Sequence, residues 1–126
     1  MSATRPALLS IVELGGYPNF APLYERAGYE VIVERSVRKA LARLKQSQPR
    51  VIVAEFNFQS DFRDRTSSLE SLLAVVQRAP DTRVIVFYER EQEHQLAKLR
   101  ARFPIHAALS YPIAPERLSE AVSRSA

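Results

Sequence analysis

Apolar positions in this chain change period repeatedly from one end to the other. Leu8, Leu9, Ile11 and Val12 form a short apolar run that ends at Glu13 and is followed by Leu14-Gly15-Gly16. Residues 29–33, 51–54 and 84–88 are three further runs, and residues 107–109 form a weaker fifth. Runs this short and rich in Val and Ile predict strands. Those without polar alternation predict strands covered on both faces, as in a parallel sheet.

Between the runs the period becomes helical. Val37, Ala40, Leu41 and Leu44 recur at i, i+3, i+4 and i+7, with Arg38, Lys39, Arg43 and Lys45 outward and Ser36 as N-cap. Leu69, Leu72, Leu73 and Val76 repeat that spacing after Ser67 and Ser68. Leu96, Leu99 and Phe103 mark a helix rich in Glu, Gln, Lys and Arg. Leu118, Ala121 and Val122 mark the last helix, with Pro115 in its first turn. In the first helix Leu23, Tyr24 and Ala27 set the pattern, Pro18 and Pro22 force a late or short start, and Gly28 closes it. Strand and helix therefore alternate five times, at roughly twenty residues per unit, which suits right-handed crossovers in one parallel sheet. The one long connection, residues 57–66, carries Phe58 and Phe62 among polar and charged residues.

With 126 residues, 46% hydrophobic and 25% charged, the chain has the size and composition of one globular domain, spanning 1–126 with a core from about 7 to 123. It contains no cysteine, which excludes disulfides and thiolate chemistry and fits a cytoplasmic protein. No apolar stretch has the length of a secretory signal or of a membrane span, about 20 residues, so no membrane contact is expected. The formal charge of +4 comes from 18 basic residues, 15 of them Arg, against 14 acidic ones. Without a basic tail or block, that balance does not select nucleic acid as a direct partner.

Several short segments, in this order and spacing, resemble the receiver domain of two-component response regulators. They are Ala27-Gly28-Tyr29-Glu30-Val31, then Ala40-Leu41, then residues 48–54 (QPRVIVA), then Tyr111-Pro112 followed by Ala114-Pro115-Glu116-Arg117-Leu118. The resemblance covers about residues 7–123. It implies a doubly wound, flavodoxin-like (βα)5 three-layer sandwich with strand order 2-1-3-4-5, and a reactive pocket at the carboxyl ends of the strands. In that family an acidic pair after the first strand holds Mg²⁺ and an Asp after the third accepts the phosphoryl group. A Thr or Ser ends the fourth strand and a Lys ends the fifth.

Position by position, this chain departs from the pattern. Glu13 matches one acid of the pair, but Leu14 stands at the other; Glu55 occupies the phosphoacceptor position. Tyr88 stands at the Thr or Ser position, Tyr111 at the Lys position before Pro112, and Ala108 where the family often carries an aromatic switch residue. Phosphoryl transfer needs a placed nucleophile, Mg²⁺ and cationic or hydrogen-bonding groups that meet the developing charge. Leu14 supplies no oxygen to Mg²⁺. Glu55 is one methylene longer than Asp, a displacement of about 1 Å, which can cost on the order of 10²-fold in rate. Tyrosine supplies no positive charge near neutral pH, and two rings would occupy space a phosphoryl group needs.

The expectation is a non-enzymatic, phosphorylation-independent, protein-binding signalling module, a pseudo-receiver without a metal or other cofactor, residual Mg²⁺ at Glu13 and Glu55 being a minor alternative. Glu55 then acts either as a permanent charge, accepting a hydrogen bond from Tyr88 or Tyr111, or as a solvated, vestigial acid. Two other functions stay open: an atypical but working phosphoacceptor, and a small-ligand sensor lined by Tyr88 and Tyr111. Phe58, Phe62, Arg63 and Arg65 in the long loop form one candidate partner surface. Lys98, Arg100 and Arg102 form another, on the face from the fourth to the fifth helix, where Arg100 and Arg102 could meet Glu116 or Glu120 of a second copy in a homodimer. The resemblance implies a histidine kinase or an output domain as protein partner, and the chain as the leading module of a longer regulator is one arrangement consistent with it. His94 and His106, with no cysteine and no clustered acids, do not make a zinc site, and Gly15-Gly16 lacks dinucleotide-fingerprint spacing.

Overall fold

Strand and helix alternate in the computed structural model as the periodicity requires; it describes residues 5–12, 18–56, 68–79 and 81–123. The elements are β1 (Ala7–Ile11), α1 (Ala21–Arg26), β2 (Glu30–Glu34), α2 (Val37–Leu44), β3 (Val51–Glu55), α3 (Ser68–Val76), β4 (Arg83–Tyr88), α4 (Glu93–Arg100), β5 (Ala107–Ser110) and α5 (Pro115–Ser123). A single 3-10 turn, Arg90–Gln92, leads into α4. All strands pair in parallel in the order β2-β1-β3-β4-β5. This is the doubly wound 2-1-3-4-5 topology.

Side chains alternate across a strand, so the sheet divides the core in two. On one side Leu9 and Ile11 of β1, Ile52 and Ala54 of β3, and Val84 and Val86 of β4 pack under α2, α3 and α4. On the other, Leu8, Val51, Val53, Ile85 and Phe87 pack under Tyr24 of α1 and Leu118, Ala121 and Val122 of α5. β3 is buried along its whole length, as expected for the middle of a sheet covered on both faces.

Local signals act where the sequence places them. Ser36 caps α2, its Oγ accepting from the Lys39 amide at 3.1 Å. Gly28 has φ +100, the left-handed conformation that follows a helix end and that glycine adopts without penalty. Two buried hydroxyls fasten distant segments: Tyr29 donates to the Val122 carbonyl at 2.7 Å, and Thr82 to the Pro49 carbonyl at 2.7 Å. The helix expected to reach Phe103 ends at Arg100, and the chain turns so that Phe103 still packs into the core. The weak fifth run at residues 107–109 forms a strand that extends one residue further, to Ser110.

Candidate functional site

Hydrogen bonds just past the strand ends hold the carboxyl edge of the sheet. The Val12 amide donates to the Glu34 carbonyl at 2.9 Å, Phe56 to Phe87 at 2.8 Å, and Tyr111 to Tyr88 at 2.9 Å. Three of the site residues expected from the sequence lie on this edge. Glu55 ends β3 directly opposite Phe87 of β4, Tyr88 ends β4, and Tyr111 follows β5 and is joined to Pro112 by a cis peptide bond. Glu13 and Leu14 lie outside the described residues, as do Phe58, Phe62, Arg63 and Arg65 of the long loop.

Glu55 is only 6% exposed; among the described residues it and Thr82 are the polar or charged side chains that are buried. A carboxylate at a strand end usually reaches solvent, so the solvated alternative gives way to a buried acid. Alternation explains its surroundings. Glu55 has the parity of Val51 and Val53 and lines a cavity on the α1 side of the sheet. Tyr88 has the parity of Val84 and Val86 and packs on the opposite side, against the α3–α4 layer. The structure therefore separates Tyr88 from the Glu55 carboxylate by the thickness of the sheet. The Tyr111 side chain is 46% exposed on the outer edge, and Ala108 packs into the α4-side core.

The cavity beside Glu55 has a volume of about 380 Å³. Neither Tyr88 nor Tyr111 is among its described lining residues, so these two rings are not the walls that the small-ligand alternative assigned to them. Its walls are Phe20 and Phe87, whose rings meet edge-on at 5.9 Å and 73°, together with Tyr24, Val31, Val33 and Val53. Arg35, which follows β2, reaches it from an exposed position. Burial pushes the Tyr24 phenol far above its ordinary range, so it remains a neutral hydroxyl. Phe20, Val33 and Arg35 were missed by sequence reasoning. The signal that could have found them is the pair Pro18 and Pro22, which shortens α1 and leaves this side of the sheet edge to loop and strand side chains.

Lys98 and Arg100 are exposed on α4. Arg102 lies beyond the helix end, where its Nη1 donates to Glu70 Oε2 of α3 at 2.8 Å and its guanidinium sits 5.1 Å from the Phe103 ring centre. It is thus engaged within its own chain while still 60% exposed. His94 is exposed on α4 and His106 is exposed just before β5. Among the described residues no three His, Cys, Asp or Glu side chains are grouped so as to hold a metal ion. No helix among them is long and apolar enough to cross a membrane.

A doubly wound sheet with its candidate site at the carboxyl edge defines a broad class of signalling and nucleotide-handling domains, and comparison with solved structures narrows it. A response-regulator receiver-domain protein from Clostridium thermocellum superposes with a TM-score of 0.73 at 16% identity, over 94% of this chain and 93% of its own. The signal receiver domain of a LuxO repressor protein from Vibrio parahaemolyticus gives 0.71 at 20% identity, over 97% and 90%. The chemotaxis response regulator CheY4 of Vibrio cholerae gives 0.69 at 18%, over 98% and 100%. No protein-family profile and no curated protein sequence matches the chain. The chain has the fold of a response-regulator receiver domain. At these identities the likeness carries the fold and not the chemistry of the site.

Proposed function

We propose that this domain is a signalling module that works by binding protein without being phosphorylated, and that it is not an enzyme. The observation that carries the proposal is the setting of Glu55. The carboxylate at the phosphoacceptor position is buried against Val53, Phe87 and the apolar cavity walls, and tyrosines stand at the ends of β4 and β5 in place of a hydroxyl-bearing small residue and a lysine. An incoming phosphoryl group would meet no lysine beyond the end of β5 and, around Glu55, mostly apolar walls in place of the open, polar setting that stabilises its charge. On this reading the activity is carried by a surface. The α4–α5 face offers exposed Lys98 and Arg100 together with Tyr111, Pro112 and Glu116, to a kinase, an output domain or a second copy in the cytoplasm.

Incubation with Mg²⁺ and a small-molecule acyl phosphate, followed by intact mass measurement, tests the proposal. The expected spectrum is unchanged. A stoichiometric gain of one phosphoryl group on Glu55 or a neighbour, stable in acid and labile in base, would overturn it and establish a working phosphoacceptor.

A further inference from the structure

The Glu55 cavity exists because α1 is short. Pro22 lies in the first turn of the helix, and Asn19 Oδ1 accepts from the Ala21 amide at 3.0 Å just before it. These two features fix the start of a six-residue helix, about 9 Å long at 1.5 Å per residue. A five-residue strand spans about 17 Å, so α1 covers only part of the strands it crosses. Toward their carboxyl ends, β1, β2 and β3 present Val33, Val53, Glu55 and neighbouring side chains to the cavity instead of to a helix. Val33 is left 49% exposed.

We propose that this cavity binds a small organic amine, a molecule with one ammonium group and an aromatic or aliphatic body. Its volume of about 380 Å³ falls within the range of small-molecule sites, about 300–1,000 Å³. The lining is mostly apolar, and its two charged members differ in setting: Glu55 is buried, whereas Arg35 stands at the exposed rim, where solvent and salt screen its charge. The two oxygens of a carboxylate offer about four acceptor positions, so Glu55 can take ammonium hydrogens beside whatever else it holds. Phe20 and Phe87 add ring surfaces, which attract cations, and the valines accept the apolar body. A carboxylate ligand would face repulsion from Glu55 at the buried end and only the solvent-screened Arg35 at the rim, and a neutral alcohol would form a weaker bond than a charge-assisted one. The shape and sign of the site therefore favour a cation over an anion or a neutral isostere.

The test uses the full chain, labelled with ¹⁵N and titrated with 2-phenylethylamine, 2-phenylethanol or phenylacetate. The expected result is saturable amide shifts confined to Ser10, Val12, Val33, Glu55 and Phe87 with the amine, at least tenfold weaker binding of the alcohol, and none of phenylacetate. Glu55→Gln should abolish the preference for amine over alcohol. Val33→Trp, at a half-exposed position that tolerates bulk, should block the amine while leaving the rest of the spectrum unchanged, and it keeps the test decisive should the Glu55 variant fold poorly. Absence of shifts at these residues, or equal binding of amine and phenylacetate, would overturn the proposal. This inference stands apart from the phosphorylation-independent reading, because the mass spectrum tests one and the amide titration the other.

Discussion

Replacing Tyr29 by Phe removes one oxygen atom from the interior and tests how α5 is fastened to the sheet. The Tyr29 side chain is 1% exposed, and its hydroxyl donates to the Val122 carbonyl at 2.7 Å across 93 residues of sequence. Val122 lies in the final turn of α5 and is fully buried. Loss of the hydroxyl therefore leaves a buried acceptor without this donor, which costs about 1–3 kcal/mol where a simple exchange with water would cost about 1. Little new space is opened, so a value near 2 kcal/mol is expected. In a domain of this length about 1 kcal/mol moves Tm by roughly 4 °C, which gives a fall of about 8 °C. Thermal melts followed by circular dichroism, with urea titrations to confirm an unchanged m-value, measure it. A fall of no more than about 4 °C at constant m would show that the bond contributes no more than an ordinary solvent-exchanged contact, and that α5 is held chiefly by apolar packing.

Two further outcomes follow from side chains already described. Burial keeps the Tyr24 phenol protonated in the fold, whereas the unfolded chain ionises it near 10.0. Stability is therefore intact below that pH and falls as pH rises past it; urea titrations between about pH 8 and about pH 11 should show a shallower loss for Tyr24→Phe than for the native chain. In the Arg102–Glu70 pair the arginine is 60% exposed and the glutamate 24%, so water still reaches the pair, and a double-mutant cycle with alanine at each position should give a coupling under about 1 kcal/mol, shrinking further in high salt.

The five alternations were legible because each strand and helix carries its period in consecutive residues: Val51 to Ala54 cannot be read as an amphipathic surface, and Val37, Ala40, Leu41 and Leu44 cannot be read as a strand. The positions of Glu55, Tyr88 and Tyr111 at strand ends followed from the same alternation together with the family resemblance. Their relations to one another did not. Whether a side chain at a strand end enters one layer or the other depends on register, and only the pairing of Glu55 with Phe87 shows that the acid and Tyr88 part company. The burial of Glu55 was equally hidden, because the cavity it lines is shared with Phe20 and Phe87, which are far apart in sequence and meet edge to edge. Arg102 looked like a partner-facing cation because its tie to Glu70 spans 32 residues, a distance that no local pattern reports.

The two-sided core has a consequence for communication through the molecule. Anything seated beside Glu55 touches the compartment closed by α1 and α5, while Tyr88 and α4 belong to the compartment behind the sheet. Side chains do not bridge a close-packed parallel sheet, so a message from one chamber to the other must be written in the main chain at its rim, where Phe56 leans on Phe87 and Tyr111 on Tyr88. The adjoining peptide groups of β3, β4 and β5 are thus the hinge pins through which an event in front could be felt behind.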